Sequence, residues 1–169
     1  MAKRLFHATN WTPTAQADTT ALTNATYMAL KGGSATQLIN IVEVEIGGLA
    51  GTTSPTIMQL ARASTVETTP TALASPNSDG PVHPSTAALA APPVSFVAAA
   101  TGPQRSAVTS DAKLDLSLNA FGGVVRWLAQ QGAEFSQLGN TASLGETILS
   151  AFTGGTVGAI SAHIMYEPY

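Results

Sequence analysis

The stretch that decides the fold is "AKLDLSLNAFGGVVRWLAQQG", residues 112–132. In its first half, three leucines alternate with polar residues between positions 113 and 118. This two-residue period is typical of a β-strand with one buried face. The pair Gly122-Gly123 separates this run from a second apolar run, where a tight corner is expected. The stretch therefore predicts two consecutive strands, over 112–120 and 123–130.

The same rhythm recurs along the rest of the chain. Its clearest example is "TQLINIVEVEIGG" (36–48), where apolar residues alternate with Glu43 and Glu45. Turn residues separate the segments, and no convincing amphipathic helix interrupts them. The further predicted strands cover 26–33, 36–48, 55–66, 94–100, 133–140, 145–155 and 159–168. This pattern predicts an all-β protein, an antiparallel jelly-roll-like sandwich of about eight strands.

Two segments depart from the strand pattern. Residues 1–25 are polar and irregular, and we predict that they form an extended N-terminal arm in front of a β-sandwich domain over 26–169. Residues 67–93 contain six of the chain's 10 prolines. Proline neither donates to a strand ladder nor continues a helix, so this Pro/Thr/Ala-rich segment predicts a long excursion from the sandwich. Loops of such length in compact domains are usually functional or disordered.

The composition is poor in charge. Charged residues make up 10% of the chain and hydrophobic residues 44%, whereas soluble domains have about 25% charged residues. A chain with so few charges disperses poorly if it exposes much apolar surface. We therefore expect much of its surface to meet protein, in a homo-oligomer or a larger assembly. The alternative is a monomer whose surface is coated with threonine and serine.

The charge balance and sequence motifs exclude several classes of partner. The net charge is −3, and the sequence has no basic cluster beyond Lys3-Arg4, so we expect no nucleic-acid partner. The chain has no cysteine, which excludes disulfides and thiolate metal sites. No apolar run approaches the 18 or so residues of a membrane span, and the N-terminus does not resemble a secretory signal. We expect no membrane partner and synthesis in the cytoplasm.

Residues suited to catalysis are scattered. His7, His83 and His163 are single, without the spacing of a metal-binding pair. No serine lies in a G-x-S-x-G motif. Glu43 and Glu45 share a strand face, whereas glycosidase carboxylates lie on opposite sides of a cleft. We therefore predict no catalytic residue, no metal, no cofactor and no enzymatic activity.

Five residues are candidates for contact with a protein partner. Lys3, Arg4, Phe6 and Trp11 give the predicted arm both charge and apolar anchors. An arm that orders on binding covers a wide surface at an entropic cost. Trp127 is predicted to anchor the core or a subunit interface, because tryptophan is enriched at interface centres. Its alternative role is a platform on which a sugar ring stacks.

The order of several motifs resembles that of a family. The segments "INIVEVEIGGL", "SPTIMQLARAST", "LNAFGGVVRW", "GNTASLGETILSAFTGGT" and "SAHIMYEPY" look like those of small proteins encoded in tailed-phage and prophage genomes. The resemblance covers residues from about 26 to 169. Its strand rhythm is also similar to that of the jelly-roll subunits that viruses use as capsid and capsid-decorating modules, which are commonly trimers. The group has no binding residues that carry over to this chain.

The resemblance implies a structural virion protein of a tailed phage. The expected function is that of a capsid decoration, or cement, protein that binds the major capsid protein on the head exterior as a homotrimer. The expected location is the capsid surface of the virion, after synthesis in the host cytoplasm. The alternative function is a fibre or tail-associated module that recognises host carbohydrate, motivated by the 67–93 excursion and Trp127. A virion-associated hydrolase is a third, weaker hypothesis.

Overall fold

The described part of the chain consists of strands joined by turns, without a helix. The structure is a computed structural model, and it describes residues 5–12, 26–48, 51–53, 55–62, 71–72, 80–81, 94–98, 112–119, 121–139, 146–153 and 160–169. Within these residues we find no helix that is long and apolar enough to span a membrane.

Twelve strands make up this described part, and two of them are only two residues long. They are β1 (Phe6–Thr12), β2 (Thr26–Lys31), β3 (Leu38–Gly48), β4 (Pro55–Arg62), β5 (Thr71–Ala72), β6 (Gly80–Pro81), β7 (Val94–Ala98), β8 (Ala112–Asn119), β9 (Val124–Leu128), β10 (Phe135–Leu138), β11 (Glu146–Thr153) and β12 (Ile160–Pro168). Each of the nine predicted strand segments contains one of these strands, which is shorter than the predicted segment.

The strands form two antiparallel sheets. The first sheet has the order β10-β3-β12-β1-β6, and β9 also pairs with β3. The second sheet has the order β5-β7-β2-β11-β4-β8. Buried residues of both sheets meet in one core, so the predicted all-β antiparallel sandwich is confirmed.

The pairing of the strands is nested. The first strand pairs with the last, β1 with β12. Moving inward along the chain, β2 pairs with β11, β3 with β9 and β10, and β4 with β8. The described strands of the N-terminal half therefore pair with those of the C-terminal half in reverse order, from the ends of the chain inward. The short strands β5 and β6, together with β7, come between β4 and β8, and β5 and β6 fall in the predicted 67–93 excursion. The rest of that excursion lies outside the described residues.

The N-terminal boundary differs from the sequence-based prediction. Residues 6–12, which we assigned to an extended arm, form strand β1 and pair with β12 along their full length. Phe6 is buried, and its ring stacks on Tyr166 with centroids 6.0 Å apart. The strand is part of the sandwich because Phe6 and Ala8 complete the core beside β12. Residues 1–4 and 13–25 lie outside the described part of the chain.

The core lies between the two sheets and follows the alternation of the strands. Along β3, for example, Ile39 and Ile41 point inward. A bulge between Ile41 and Glu43 shifts the alternation by one residue, so that Val44 and Ile46 also point inward. The largest fully buried side chains are Tyr166, Met28, Leu30, Ile39, Ile41, Ile46, Met58 and Leu60. Burying each of the methionine, leucine and isoleucine side chains among them contributes about 1.5–3 kcal/mol. The core accounts for the fold and leaves the outward positions for contacts with other molecules.

Two polar side chains tie the sheets together at one end of the sandwich. The amide of Gln137 on β10 is buried and donates a hydrogen bond of 3.1 Å to the carbonyl of Leu30 on β2. Arg62 on β4 donates to the carbonyl of Ser136 at 2.9 Å. Buried polar groups cost free energy unless they find such partners. These bonds fix how the two sheets meet at the end where β3 begins.

Candidate functional site

A row of polar side chains crosses four strands on the outer face of the first sheet. Thr9 on β1, His163 on β12, Glu45 on β3 and Arg126 on β9 follow one another as register partners. Their inward-facing neighbours along the strands belong to the core, so period 2 directs this row outward. We call these four residues the polar row.

Arg126 is fixed by an ion pair with the neighbouring Glu43. Its Nε donates to Oε1 of Glu43 at 2.6 Å, and its Nη2 donates to Oε2 at 3.0 Å. This two-pronged geometry suits a guanidinium and a carboxylate. The hydrogen bond from Arg126 holds the pKa of Glu43 below its ordinary value, although burial acts in the opposite direction. The carboxylate of Glu43 is therefore charged and already paired within its own chain.

His163 joins the row to β1. Its Nδ1 lies 2.7 Å from the hydroxyl of Thr9, and its ring stacks on that of His7 with centroids 5.7 Å apart. Burial lowers the pKa of His163, and the charge of His7 lowers it further; Glu43 and Glu45 act in the opposite direction. The folded protein therefore favours the neutral form of His163.

A shallow hollow lies in the middle of this face. It has a volume of about 370 Å³ and is lined by Thr9, Glu43, Glu45, Gly47, Ser161, Ala162 and His163. Its floor is low because Gly47 has no side chain and its register partner Ser161 has a small one. A Cβ built on Gly47 would lie 3.0 Å from the Ser161 hydroxyl oxygen and 3.9 Å from a methyl group of Val124. The hollow and Val124 are therefore direct neighbours.

The groups on this face are suited to hydrogen bonds and ion pairs. They include hydroxyls, an imidazole and the carboxylates of Glu43 and Glu45, which lie on one strand rather than across a cleft. Among the described residues, no group of three or more His, Asp or Glu side chains is placed to hold a metal ion. Arg126 is flanked along β9 by Val124 and Leu128, which are both exposed on the same face of the strand. An arginine among exposed apolar side chains is typical of a protein–protein contact.

A second exposed apolar group lies at the end of this sheet where β3 begins. Leu138 on β10 is the register partner of Leu38, and the backbone nitrogen of Tyr169 donates to the carbonyl of Leu38 at 2.8 Å. Leu138 and Tyr169 are 61% and 62% exposed. We call Leu38, Leu138 and Tyr169 the end cluster.

The structure does not bring the sequence-predicted contact residues together. Phe6 lies in the core of its own chain. Trp127 points inward, packs against the core and stacks on Phe135 with centroids 4.7 Å apart. Lys3 and Arg4 lie outside the described residues, as does the side chain of Trp11, whose backbone belongs to β1.

Sequence analysis overlooked the exposed residues of β9. The segment "VVRWL" (124–128) is apolar on both strand faces, because Val125 and Trp127 alternate with Val124 and Leu128. Since one face of the strand meets the core, the second apolar face predicts a further contact. That signal is present in the sequence, but the prediction for this segment named only Trp127.

The lowered pKa of His163 predicts a loss of stability in mild acid. The unfolded chain binds a proton at the ordinary histidine pKa, about 6.5, whereas the folded chain binds it only at lower pH. The contribution of His163 to the free energy of unfolding is therefore complete above about pH 6.5. It decreases as the pH falls from there towards the lower pKa of the folded state. Urea denaturation at pH 7.5 and 5.5 should show this decrease, and His163→Asn should reduce it. An equal pH dependence in the variant would contradict this assignment.

Comparisons with known proteins assign this chain to no family. No protein-family model matches the sequence, and no curated protein matches it significantly. Among solved structures, the chain aligns at 12% identity and a TM-score of 0.17 with one described as "Structure of infectious bursal disease virus Gx strain". The alignment covers 99% of this chain and 39% of that one, so the chain spans well under half of the length of the viral protein. A similarity of this size carries no argument about fold or function.

Proposed function

We propose that the protein is a structural virion protein of a tailed phage, a capsid decoration protein that binds the head exterior as a homo-oligomer. Its partner is the major capsid protein. The nested pairing of β1–β4 with β8–β12 supports this proposal, because the strands of jelly rolls also pair from the ends of the chain inward. Jelly rolls recur in viral capsid domains.

The end cluster carries the proposal. Decoration requires an exposed surface that holds a protein lattice, and apolar side chains exposed together mark such surfaces on soluble domains. Leu138 and Tyr169 provide two large exposed groups beside Leu38, at the end where Gln137 and Arg62 hold the two sheets in place. The contact surface is therefore built on a rigid part of the sandwich.

The end cluster replaces Phe6 of the arm as the proposed capsid anchor. Phe6 is buried against Tyr166 and has no surface left to offer a lattice. One end cluster alone gives a weak contact. A homo-oligomer, for which we predict a trimer, presents several at once, and each bound copy raises the effective concentration of the others at the lattice.

Charge substitutions in the end cluster should release the protein from capsids. We expect Leu138→Asp and Tyr169→Asp each to weaken binding about tenfold or more, since loss of a central apolar anchor costs about 1–2 kcal/mol or more. Co-sedimentation with heads of the encoding phage, prepared without this protein, measures the effect. Ile57→Asp is the matched control, because Ile57 is 45% exposed on the outer face of the second sheet. Unchanged binding of both variants, or equal loss in the control, would contradict the proposed anchor.

Carbohydrate recognition is less well supported. That alternative was motivated by the 67–93 excursion, most of which lies outside the described residues, and by Trp127 as a stacking platform. The ring of Trp127 is turned towards Phe135 and the core. A glycan array separates the two functions, since a decoration protein should give no glycan signal.

A further inference from the structure

A protrusion and a hollow lie side by side on the outer face of the first sheet. Val124 on the edge strand β9 is 70% exposed, and its register partner on β3 is Gly47, in the floor of the hollow. Two residues further along the same strands, Arg126 is the partner of Glu45. One strand therefore carries a protrusion and a cation, and its neighbour carries a hollow and an anion.

Both charged groups of this pair remain available to a partner. The side chains of Arg126 and Glu45 are 57% and 46% exposed, and the Arg126 Nε lies 4.0 Å from a Glu45 oxygen. Arg126 uses Nε and Nη2 for Glu43, so its Nη1 donors make no hydrogen bond within the described residues. Glu43 acts here as a positioning residue that holds the guanidinium at the surface.

Such a surface is complementary to itself. A two-fold axis that runs parallel to the strands, above the gap between β3 and β9, places β9 of one copy over β3 of the other. Val124 then lies over the hollow at Gly47, and Arg126 lies over Glu45, and both contacts occur twice. A two-fold contact requires one patch that contains both members of each contact, and this patch does.

We propose that two copies of this chain associate through this face, with Val124 and Arg126 of each copy against Gly47 and Glu45 of the other. This contact does not depend on the capsid and lies apart from the end cluster. A trimer would require a second, head-to-tail contact elsewhere on the chain. The two-fold contact would then join neighbouring oligomers across a lattice.

Charge exchange between copies tests the pairing directly. Glu45→Arg places two arginines opposite each other in both halves of a two-fold contact, and Arg126→Glu places two glutamates there. A mixture of the two variants restores an Arg–Glu pair in both halves. Sedimentation velocity of the purified full-length chain should show two-fold association of the wild type, as a dimer of chains or as a pair of trimers. Association of each variant alone should be at least about tenfold weaker, and the mixture should recover it.

A second substitution covers the case in which Arg126→Glu does not fold, since it also breaks the pair with Glu43. Val124→Asp leaves that pair intact and should weaken association to a similar degree, whereas Ile57→Asp on the other sheet should not. A wild type that shows no two-fold association up to about 0.1 mM, or whose association is unchanged by Glu45→Arg and Val124→Asp, would overturn the proposal. The assay contains no capsids, so its outcome is separate from that of the end-cluster variants.

Discussion

Deletion of residues 1–12 is expected to unfold the domain. These residues include β1, which pairs with β12 over seven register positions and contributes Phe6 and Ala8 to the core. Removal of Phe6 alone leaves the fully buried Tyr166 without its stacked neighbour. Loss of one buried aromatic side chain costs about 3–5 kcal/mol, and loss of the strand ladder adds to it. The total approaches the stability of a typical domain, about 5–15 kcal/mol.

The measurement compares three chains by circular dichroism and urea denaturation. The chain that lacks residues 1–12 should show no cooperative transition. A chain that lacks only residues 1–4 retains Phe6 and all of β1, so it should melt like the wild type. Phe6→Ala should be intermediate, about 3–4 kcal/mol less stable. Cooperative melting of the shorter chain at the wild-type midpoint would show that β1 is dispensable.

The prediction from the sequence did not include β1, and the reason is physical. Strands such as 112–119 repeat large apolar residues at every second position, and this local signal suffices to find them. The strand "FHATNWT" has only Phe6 and Ala8 as its buried side chains among the residues described, so its inner face is too small to stand out. It is a strand because of β12, whose residues lie more than 140 positions further along the chain. Pairing over such separations leaves no local pattern.

The same limit applies to the candidate site. Period 2 correctly placed Glu43 and Glu45 on one strand face, but it does not show how far each of them is exposed. Glu43 is buried, because Arg126 from a strand 83 positions away binds both of its carboxylate oxygens. Residue types on one strand predict which side chains share a face, whereas the neighbouring strand decides which of them are paired.

Gly139 is the position where we expect the largest effect of a single methyl group. Its φ is +84°, in the left-handed region, and it directly follows β10 beside the loop between β2 and β3. Its N–H donates to the carbonyl of Gln37 at 2.9 Å, and its carbonyl accepts from Gly32 at 3.3 Å. A Cβ on residue 139 would lie 2.5 Å from the carbonyl oxygen of Ala35. Gly139→Ala must therefore displace backbone that is held by both hydrogen bonds.

Destabilisation by Gly139→Ala has two causes, the positive φ and the close contact with Ala35. Gly132 separates them, because it has a similar φ without a close contact. Its φ is +85°, and a Cβ built there meets nothing within 4 Å. Gly132→Ala should cost about 1–2 kcal/mol, the cost of placing an L-residue in the left-handed region. Gly139→Ala should cost about 3–4 kcal/mol, since overpacking adds about 1–3 kcal/mol. Urea denaturation of both variants measures the difference, and equal destabilisation would mean that the loop of residues 32–37 moves aside freely, which its hydrogen bonds to Gly139 oppose.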